Sequence, residues 1–437
     1  MRQEPDLHAI AEDFLSRLPS GRPVIIALSG GSDSTGLLHA FTHAARRKTG
    51  HTIVAATVDH GLRPESAGEA RAVGEACARL GVRHHILVWR GEKPATGLQE
   101  AARMARYRLL SDLALQLGAS AVLLGHTAND QAETIAMRKA RSPEDAMGLS
   151  GMAPAMLFQN RAWFLRPFLG LEPLEIRRHL TALGEGWIDD PSNLNPVFER
   201  ARLRAGIPEA AGRDIGKDVM DGRARLSADA AAFLDRALSY PFGHVAKIDP
   251  GCFEPGNPAH LHGLSAVIAM AGGRSHRPGA ESLRRIAAFL SSAKAGRISA
   301  GRTTIDLRRQ GIFIYRENRG LATEAVEPGE RRRWDGRFEI CNHGSRTVTL
   351  GPGPGGTPMA WPDDAAERLA GIPGGVQARA MPAWPHLLSG GDAGPVTIER
   401  LASPYADFLP SFDACLAVVL AGKAGMRHFM PLPLRPV

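Results

Sequence analysis

A loop that can hold phosphate groups follows the first predicted strand. The apolar run that begins at Val24 ends at Ser29-Gly30-Gly31-Ser32, and Asp33 and Ser34 open a predicted helix. Glycines let the backbone approach a phosphate closely, hydroxyl groups can donate hydrogen bonds, and the N–H groups at a helix start point toward anions. The loop lacks the Gly-Lys-Ser/Thr ending of a Walker loop, which argues against an ordinary phosphoryl-transferring NTPase. The alternative is a tight turn in which Asp33 only caps the helix.

Polar residues also follow the later predicted strands. Asp59 and His60 come directly after the second strand, and His126 comes after the fourth. Since ligands of parallel sheets bind beyond the carboxyl ends of the strands, we expect these side chains to lie near the loop. The alternatives are a turn capped by Asp59 and a purely structural His126.

Two carboxylates, through a bound cation, and two arginines could neutralise the negative charge of a phosphate ligand. Asp33 and Asp130 could hold Mg²⁺, a hard cation suited to carboxylate oxygens, although both could instead cap helices. Arg103 and Arg106 lie three residues apart, so one helix face can present both to a phosphate; surface salt bridges are the alternative.

Strands and helices alternate along the first half of the chain. Strands are predicted at 23–28, 52–58, 83–89 and 120–125, and helices at 33–46, 67–80, 97–117, 130–140 and 172–184. This alternation predicts an α/β fold, a parallel sheet covered by helices on both faces. Helices are then predicted at 209–240, 258–271 and 279–295, followed by a hairpin at Gln310-Gly311 and a Gly- and Pro-rich region. We therefore predict a catalytic domain at 1–207, a mainly helical domain at 208–327 and a small module at 328–437.

Composition limits the class of protein. The 437 residues are 44% hydrophobic, and no apolar run approaches the roughly 18 residues of a membrane span. No apolar signal segment is present at the N-terminus, so we expect a cytoplasmic protein with no membrane partner. The four cysteines include no Cys-x-x-Cys pair, which argues against a zinc site, an iron-sulfur cluster or a redox dithiol.

Positive charge is concentrated in one segment. The formal net charge is +8, and the segment from Arg274 to Arg309 contains nine Lys/Arg residues and two acidic residues. Its predicted amphipathic helix carries Arg284 and Arg285, which favours contact with a nucleic-acid backbone. A solvated basic face without a partner is the alternative.

Taken together, the motifs resemble those of the tRNA(Ile)-lysidine synthetase family. The loop resembles the Ser-Gly-Gly-x-Asp-Ser loop of the ATP pyrophosphatases, also called PP-loop proteins. The other segments are Asp59-His60-Gly61, Ala101-Ala-Arg-Met-Ala-Arg-Tyr, Gly125-His-Thr-Ala-Asn-Asp-Gln-Ala-Glu-Thr, and Trp187-Ile-Asp-Asp-Pro-Ser-Asn followed by Arg200-Ala-Arg-Leu-Arg. The resemblance extends over about residues 24–204 and implies a PP-loop domain of Rossmann-like architecture.

The resemblance also implies a reaction and a set of site residues. Family members join L-lysine to the wobble cytidine of tRNA(Ile) with a CAU anticodon, using ATP. Adenylation must come first, because the cytosine O2 is a poor leaving oxygen. Nucleotide binding would involve Ser29, Gly30, Gly31, Ser32, Asp33, Ser34, Asp59, His60, Arg103 and His126. Catalysis would involve Asp33, Arg106, Asp130 and Glu133, with Mg²⁺ on Asp33 and Asp130 and with Asp130 or Glu133 accepting the proton of the attacking amine.

The resemblance also suggests RNA contacts in its last motif. Arg200, Arg202 and Arg204 alternate by two residues, so they cannot share one helix face but could line an extended segment against RNA phosphates. The cytidine must leave the anticodon stack, which favours a domain that grips the tRNA, and the Arg274–Arg309 segment is the candidate.

Two departures from the family pattern keep other functions open. Most relatives have His-His-x-Asp-Asp-Gln where this chain has His126-Thr127-Ala128-Asn129-Asp130-Gln131. One alternative is another AMP-forming PP-loop ligase that acts on a small molecule. The other, prompted by Thr127 and Asn129, is an inactive relative that binds tRNA and ATP. The sequence does not predict an oligomeric state.

Overall fold

The computed structural model describes residues 6–47, 50–62, 66–141, 150–188, 217–353, 355–359, 364–389 and 394–435. The chain divides into two compact units, the first comprising Met1–Gly222 and Met430–Val437 and the second Arg223–Phe429. The predicted domain boundary at 207/208 falls outside the described residues, and the one at 327/328 falls inside the second unit. No helix in the described ranges is long and apolar enough to cross a membrane.

A mainly parallel sheet forms the centre of the first unit. Its strands are β1 (Pro23–Ala27), β2 (Thr52–Asp59), β3 (Arg83–Val88), β4 (Ala121–Leu124), β5 (Ala155–Phe158) and β6 (Ala162–Leu165). They lie in the order β5-β6-β4-β1-β2-β3; among these six described strands β5 pairs with β6 antiparallel, and the other pairings are parallel. The strand order therefore reverses between β1 and β4. In open α/β sheets such a reversal leaves a crevice at the carboxyl edge, where ligands bind.

Helices connect the strands of this sheet. They are α1 (Leu7–Ser16), α2 (Ser32–Arg47), α3 (Ser66–Arg79), α4 (Leu98–Leu117), α5 (Ala128–Arg141) and α6 (Pro173–Ala182). The predicted strands and helices of this region are all present, with their ends displaced by no more than two residues. The predicted α/β class is confirmed, whereas the β5–β6 hairpin was missed.

Apolar runs explain why the inner strands are buried on both faces. In β1 every residue after Pro23 is buried, and all residues of β4, β5 and β6 are buried. Helix α2 also packs closely on α6, since a Cβ atom at Gly36 would lie 2.3 Å from Cγ2 of Ile176. This close approach brings the exposed face of α6 near the start of α2.

The second unit combines helices with three antiparallel sheets. Its helices are Lys217–Ala237, in which the boundary between the units falls, Pro258–Ala271, Ala280–Ser291, Ala365–Ala370, Gly374–Ala380 and Ala414–Lys423. The largest sheet has, in spatial order, the strands Leu238–Phe242, Val245–Ile248, Gly311–Arg316, Thr303–Arg308 and Gly296–Ala300. A second sheet contains Glu324–Val326, Val348–Pro352, Pro385–Ser389 and Thr357–Pro358, and a third contains Arg331–Trp334, Phe338–Asn342 and Val396–Arg400.

The second unit has more strands than the sequence indicated. The predicted hairpin is present, with Leu307 opposite Ile312, but strands 238–242, 245–248 and 296–300 were not predicted. The Gly- and Pro-rich region is also more regular than its composition suggested. Its strands bury a cluster around Trp334 and Phe338.

Candidate active site

The loop Ser29–Ser34 is shaped by its own hydroxyl groups. Ser34 Oγ donates to the carbonyl oxygen of Gly31 at 3.1 Å and accepts from the N–H of Ser29 at 3.2 Å. Thr35 Oγ1 donates to the carbonyl oxygen of Gly30 at 3.2 Å. Gly30 has φ +87°, a backbone conformation that favours glycine. The first N–H groups of α2 have no acceptor within the helix, so the loop and the helix start together offer donors to an anion.

Two segments pack against this loop without room for a side chain. At Gly125, which follows β4, a Cβ atom would lie 2.9 Å from the backbone nitrogen of Ser34 and 3.0 Å from the carbonyl carbon of Asp33. At Gly30, a Cβ atom would lie 2.9 Å from Cδ1 of Ile188, whose N–H donates to the carbonyl oxygen of Gly30 at 2.9 Å. The loop is therefore held from two sides.

The segment that contains Ile188 belongs to the last motif singled out in the sequence. Its described end, Trp187-Ile188, thus reaches the phosphate loop. The other residues of this motif lie outside the described residues: Asp189, Asp190, Asn193, Arg200, Arg202 and Arg204.

A cavity of about 350 Å³ opens beside the loop. The carboxyl ends of β1 and β2 line it together with residues of α3 and α4, and about half of its wall is apolar: Ala27, Leu28, Ala56, Val58, Leu62, Ala70, Val73 and Leu110. The rest of the wall is polar or charged: Ser29, Thr57, Asp59, His60, Ser66, Glu69 and Arg106. A cavity with apolar and polar walls at this position suits a heterocyclic base with its sugar.

Asp59 and His60 have different environments within this wall. Asp59 Oδ1 accepts from Ser66 Oγ at 2.7 Å and from the N–H of Gly61 at 2.8 Å, and these bonds lower the pKa of the carboxyl group. Burial lowers the pKa of His60, whose ring lies edge-on to Trp89 at 6.0 Å. Asp59 is therefore anionic and His60 neutral at pH 7. Asp59 also caps the turn at Gly61, which is the alternative role that the sequence offered for it.

Only one of the two predicted arginines lines the cavity. Arg106 does so, and burial lowers its pKa, although an arginine remains charged at neutral pH. Arg103 is exposed and places its guanidinium 5.2 Å from the ring centre of Tyr107. The two side chains lie on the same helix, but Arg106 lines the cavity and Arg103 is exposed to solvent.

The three candidate carboxylates lie on α2 and α5, two of them in the first turn of a helix. Asp33 lies in the first turn of α2 and accepts from Ser32 Oγ at 3.1 Å. Asp130 Oδ2 accepts from the N–H of Thr127 at 2.8 Å and from Thr127 Oγ1 at 3.1 Å. This oxygen therefore caps α5, which is the alternative role that the sequence offered for Asp130. Glu133, one turn further along α5, is buried.

These carboxylates are compatible with a bound cation without forming a closed cage. The described residues include no group of three or more His, Cys, Asp or Glu side chains that could hold a metal ion. Asp33 and Asp130 follow neighbouring parallel strands and offer hard oxygen donors at the same sheet edge. Mg²⁺ commonly binds through one or two carboxylates together with water and substrate phosphates, so the residues present fit that ion.

The structure adds two arginines that sequence reasoning missed. Arg166, which follows β6, is buried and donates from Nε to Nδ1 of His126 at 3.0 Å. Arg177 on α6 is exposed, and its Nε lies 3.4 Å from Ser32 Oγ in the loop. A charged residue directly after the apolar run at 162–165 is the signal that could have identified Arg166.

The basic segment of the second unit is partly used for internal ion pairs. Arg277 pairs with Asp413, Arg302 with Asp335 and Arg308 with Asp306. The exposed cations of the segment lie on the helix Ala280–Ser291, on the edge strand Gly296–Ala300 and in nearby turns: Arg274, Arg284, Arg285, Lys294, Arg297 and Arg309. Arg284 and Arg285 thus remain candidates for contact with a phosphate backbone.

The class of protein follows from the loop, the sheet and a family match. Residues 4–210 match the family model described as a PP-loop domain, so the first unit is built on that ATP-binding domain. Curated relatives identify the family more closely. The tRNA(Ile)-lysidine synthase of Rhizobium meliloti (strain 1021) is 40% identical over 98% of this chain and 98% of its own length. That of Mesorhizobium japonicum is 38% identical over 99% of this chain and 98% of its own length. The chain belongs to the tRNA(Ile)-lysidine synthase family.

Among solved structures, the U34-tRNA thiolase NcsA from Methanococcus maripaludis aligns with 50% of this chain and 78% of its own length. The sequence identity is 16% and the TM-score is 0.42.

Proposed function

We propose that this protein is a tRNA(Ile)-lysidine synthase, a ligase that forms a C–N bond and releases AMP and pyrophosphate. Its substrates are ATP, L-lysine and tRNA(Ile) with a CAU anticodon, and its product reads AUA instead of AUG. The observation that carries this proposal is the phosphate loop, held by Gly125 and Ile188 beside a cavity of about 350 Å³, in a chain similar to the family along its whole length. Such a tRNA-modifying enzyme acts in the cytoplasm.

ATP would bind with its base in the cavity and its phosphates on the loop. The apolar wall that includes Ala56 and Val73 fits the flat faces of a purine, and Asp59 or His60 can bond to its polar edge or to the ribose. The loop from Ser29 to Ser34 and the start of α2 supply donors for the pyrophosphate end. Arg106 reaches the same cavity and would face the α-phosphate, while the exposed Arg103 supplies a second cation from the same helix.

The first chemical step transfers AMP to the cytidine. The cytosine O2 attacks the α-phosphorus, the new O–P bond forms, and the bond to the bridging oxygen breaks so that pyrophosphate leaves. Negative charge builds up on the α-phosphate oxygens, and Arg106, Arg177 and the loop N–H groups can stabilise it. These donors are in place before the reaction, so the charge meets oriented dipoles rather than mobile water.

The second step replaces AMP by lysine. A neutral amine of lysine attacks C2, and the C2–O2 bond breaks with release of AMP. The lysine ammonium must first lose a proton, and a carboxylate on α5 is the acceptor that we propose. Asp130 keeps one oxygen outside its capping bonds to Thr127, and Glu133 lies one turn further in an enclosed position.

We also propose Mg²⁺ as the cation of this site, held by Asp33 and Asp130. When bound, it would neutralise charge on the departing pyrophosphate. The carboxylate of Asp33 lies at the start of α2, where it accepts a hydrogen bond from Ser32 Oγ in the loop. Conversion of Asp33 to Asn would retain the shape and remove the charge, which separates an electrostatic role from a capping role.

The tRNA would be gripped by the exposed cations of the second unit. Each Lys or Arg that neutralises a phosphate increases the magnitude of the slope of log affinity against log salt concentration by about one. The double substitution Arg284→Ala and Arg285→Ala should therefore weaken tRNA binding and reduce the salt slope by about two. Replacing Arg308 and Arg319 instead is the control, because Arg308 is paired with Asp306 and Arg319 lies outside the segment. An unchanged slope in the first variant would rule out this surface.

The function is tested by mixing the full-length protein with Mg-ATP, radiolabelled lysine and unmodified tRNA(Ile) of CAU anticodon. We expect label on the wobble cytidine and one AMP for each lysine incorporated, both lost in Asp33→Ala. AMP formation from ATP with another nucleophile, but no labelled tRNA, would indicate a different PP-loop ligase. Binding of ATP and tRNA with neither product would indicate an inactive relative.

A further inference from the structure

The contact between Arg166 and His126 defines how the histidine can act. Arg166 Nε lies 3.0 Å from Nδ1 of His126. A guanidinium has only N–H donors and no acceptor, and it stays protonated in proteins. Nδ1 must therefore be the acceptor in this hydrogen bond, and it cannot carry a proton. In the neutral imidazole the proton is then on Nε2.

We propose that Arg166 is a positioning residue that keeps His126 in the Nε2–H tautomer, so that His126 donates a hydrogen bond to substrate and does not act as a base. This inference rests on the proposed function, in which the substrate oxygens at the end of β4 are those of a nucleotide phosphate. His126 directly follows Gly125, the residue packed on the phosphate loop. A donor at that position can bond to an anionic oxygen, whereas a ring with an unprotonated Nε2 would repel it.

The surroundings of Arg166 fix the guanidinium in place. Its side chain is buried, and Nη1 donates to the carbonyl oxygen of Ala153 at 2.6 Å. Its own N–H donates to the carbonyl oxygen of Pro154 at 2.8 Å. Arg166 thus joins the end of β4 to the segment that leads into β5. With one side-chain donor and its backbone N–H anchored in this way, Arg166 can hold the imidazole ring in one orientation.

A second arginine provides a matched control for this connection. Arg138 Nη1 donates to the carbonyl oxygen of Gly151 at 2.7 Å, so it anchors the same segment as Arg166. The donor to Nδ1 of His126 is instead Nε of Arg166. Loss of Arg138 therefore disturbs the segment without removing the donor to the histidine.

The tautomer is tested directly by NMR on protein labelled with ¹⁵N-histidine, without substrates. Long-range ¹H–¹⁵N correlations distinguish the two neutral tautomers, and His126→Gln identifies the signal. We expect the Nε2–H pattern in the wild type and in Arg138→Met, and a mixture of tautomers in Arg166→Met. An Nδ1–H pattern in the wild type, or an unchanged pattern in Arg166→Met, would overturn the proposal. This measurement does not depend on the reaction, so its failure is distinct from failure of the proposed function.

The role as a donor is tested by a double-mutant cycle. A glutamine amide can offer an N–H close to the position of Nε2 but cannot act as a base, so His126→Gln should retain more ATP affinity and kcat/KM than His126→Ala. Arg166→Met should lower kcat/KM by roughly 10–100-fold in the wild-type background, the usual loss when a residue that orients a functional side chain is removed. The loss should be much smaller in the His126→Gln background, because glutamine has no tautomer for Arg166 to fix. Equal losses in both backgrounds would show a merely structural role.

Arg166→Lys guards against a trivial folding defect. It keeps a buried cation that can donate to His126, so we expect part of the activity and the Nε2–H pattern to be retained. If Arg166→Lys matched the wild type in melting temperature but showed the same tautomer mixture and loss as Arg166→Met, a single donor would be insufficient and the assignment would be wrong.

Discussion

Gly125→Ala is the substitution with the most direct structural consequence for the phosphate loop. The added Cβ atom would lie 2.9 Å from the backbone nitrogen of Ser34 and 3.0 Å from the carbonyl carbon and oxygen of Asp33. All three are backbone atoms, so no side-chain rotation can relieve the contact. The start of α2 must move away by a few tenths of an ångström, at a cost of about 1–3 kcal/mol for overpacking.

The substitution should also impair the use of ATP. A shift of the loop misplaces several donors at once, and misplacement by about 1 Å can cost on the order of 100-fold in rate. We therefore expect kcat/KM for ATP to fall by about 10–100-fold. The melting temperature should fall by roughly 2–4 °C for each kcal/mol of strain.

The assay combines calorimetric ATP binding, lysine incorporation and thermal unfolding. Gly170→Ala is the matched control, since a Cβ atom there meets nothing within 4 Å and its φ is not positive. Wild-type ATP affinity and rate in Gly125→Ala, or an equal loss in Gly170→Ala, would refute the argument that Gly125 positions the loop.

Three further predictions concern other parts of the molecule. Burial lowers the pKa values of His8 and His179 in the folded protein, so as the pH drops below about 6.5 these histidines take up protons more readily in the unfolded chain, and stability should fall. His179→Gln should make the melting temperature depend less on pH. An unchanged pH dependence in this variant would contradict the prediction. Arg177→Ala should weaken ATP binding by about 3–10-fold, the net value of one hydrogen bond from an exposed side chain, without changing the melting temperature, and Arg178→Ala serves as its control. Asp413→Asn should cost the second unit about 3–5 kcal/mol in urea unfolding, because this buried carboxylate pairs with two partly buried arginines; an unchanged midpoint would exclude that role.

Sequence reasoning was most accurate where patterns are local. The β-branched run at β1, the glycines of the loop and the apolar stripe of α2 each lie within a few residues of one another, so spacing alone predicts them. It failed for β5 and β6, whose apolar runs of four residues are too short to separate from other buried segments. It also failed for the strands 238–242 and 245–248, where Ser239, Tyr240 and Pro241 interrupt any alternating pattern.

The capping bonds of Asp130 show a role that only coordinates reveal. The sequence left this carboxylate with two possible roles, a metal ligand or a cap, and one oxygen is in fact engaged by Thr127. At Thr127, where the chain departs from the family pattern, the hydroxyl donates to the same Asp130 oxygen that caps the N–H of Thr127. The roles proposed for Asp33, Asp130 and Glu133 in catalysis stay predictions.

The residue types and their order along the chain were enough to determine the α/β class, the phosphate loop and the family, because these depend on short-range spacing. The partnership of Arg166 with His126, the packing of Gly125 on Asp33 and the approach of Arg177 to Ser32 join residues 40, 92 and 145 positions apart. Only the tertiary structure decides such contacts. They arise from the parallel pairing of β1, β4 and β6, which brings distant carboxyl ends to one edge of the sheet.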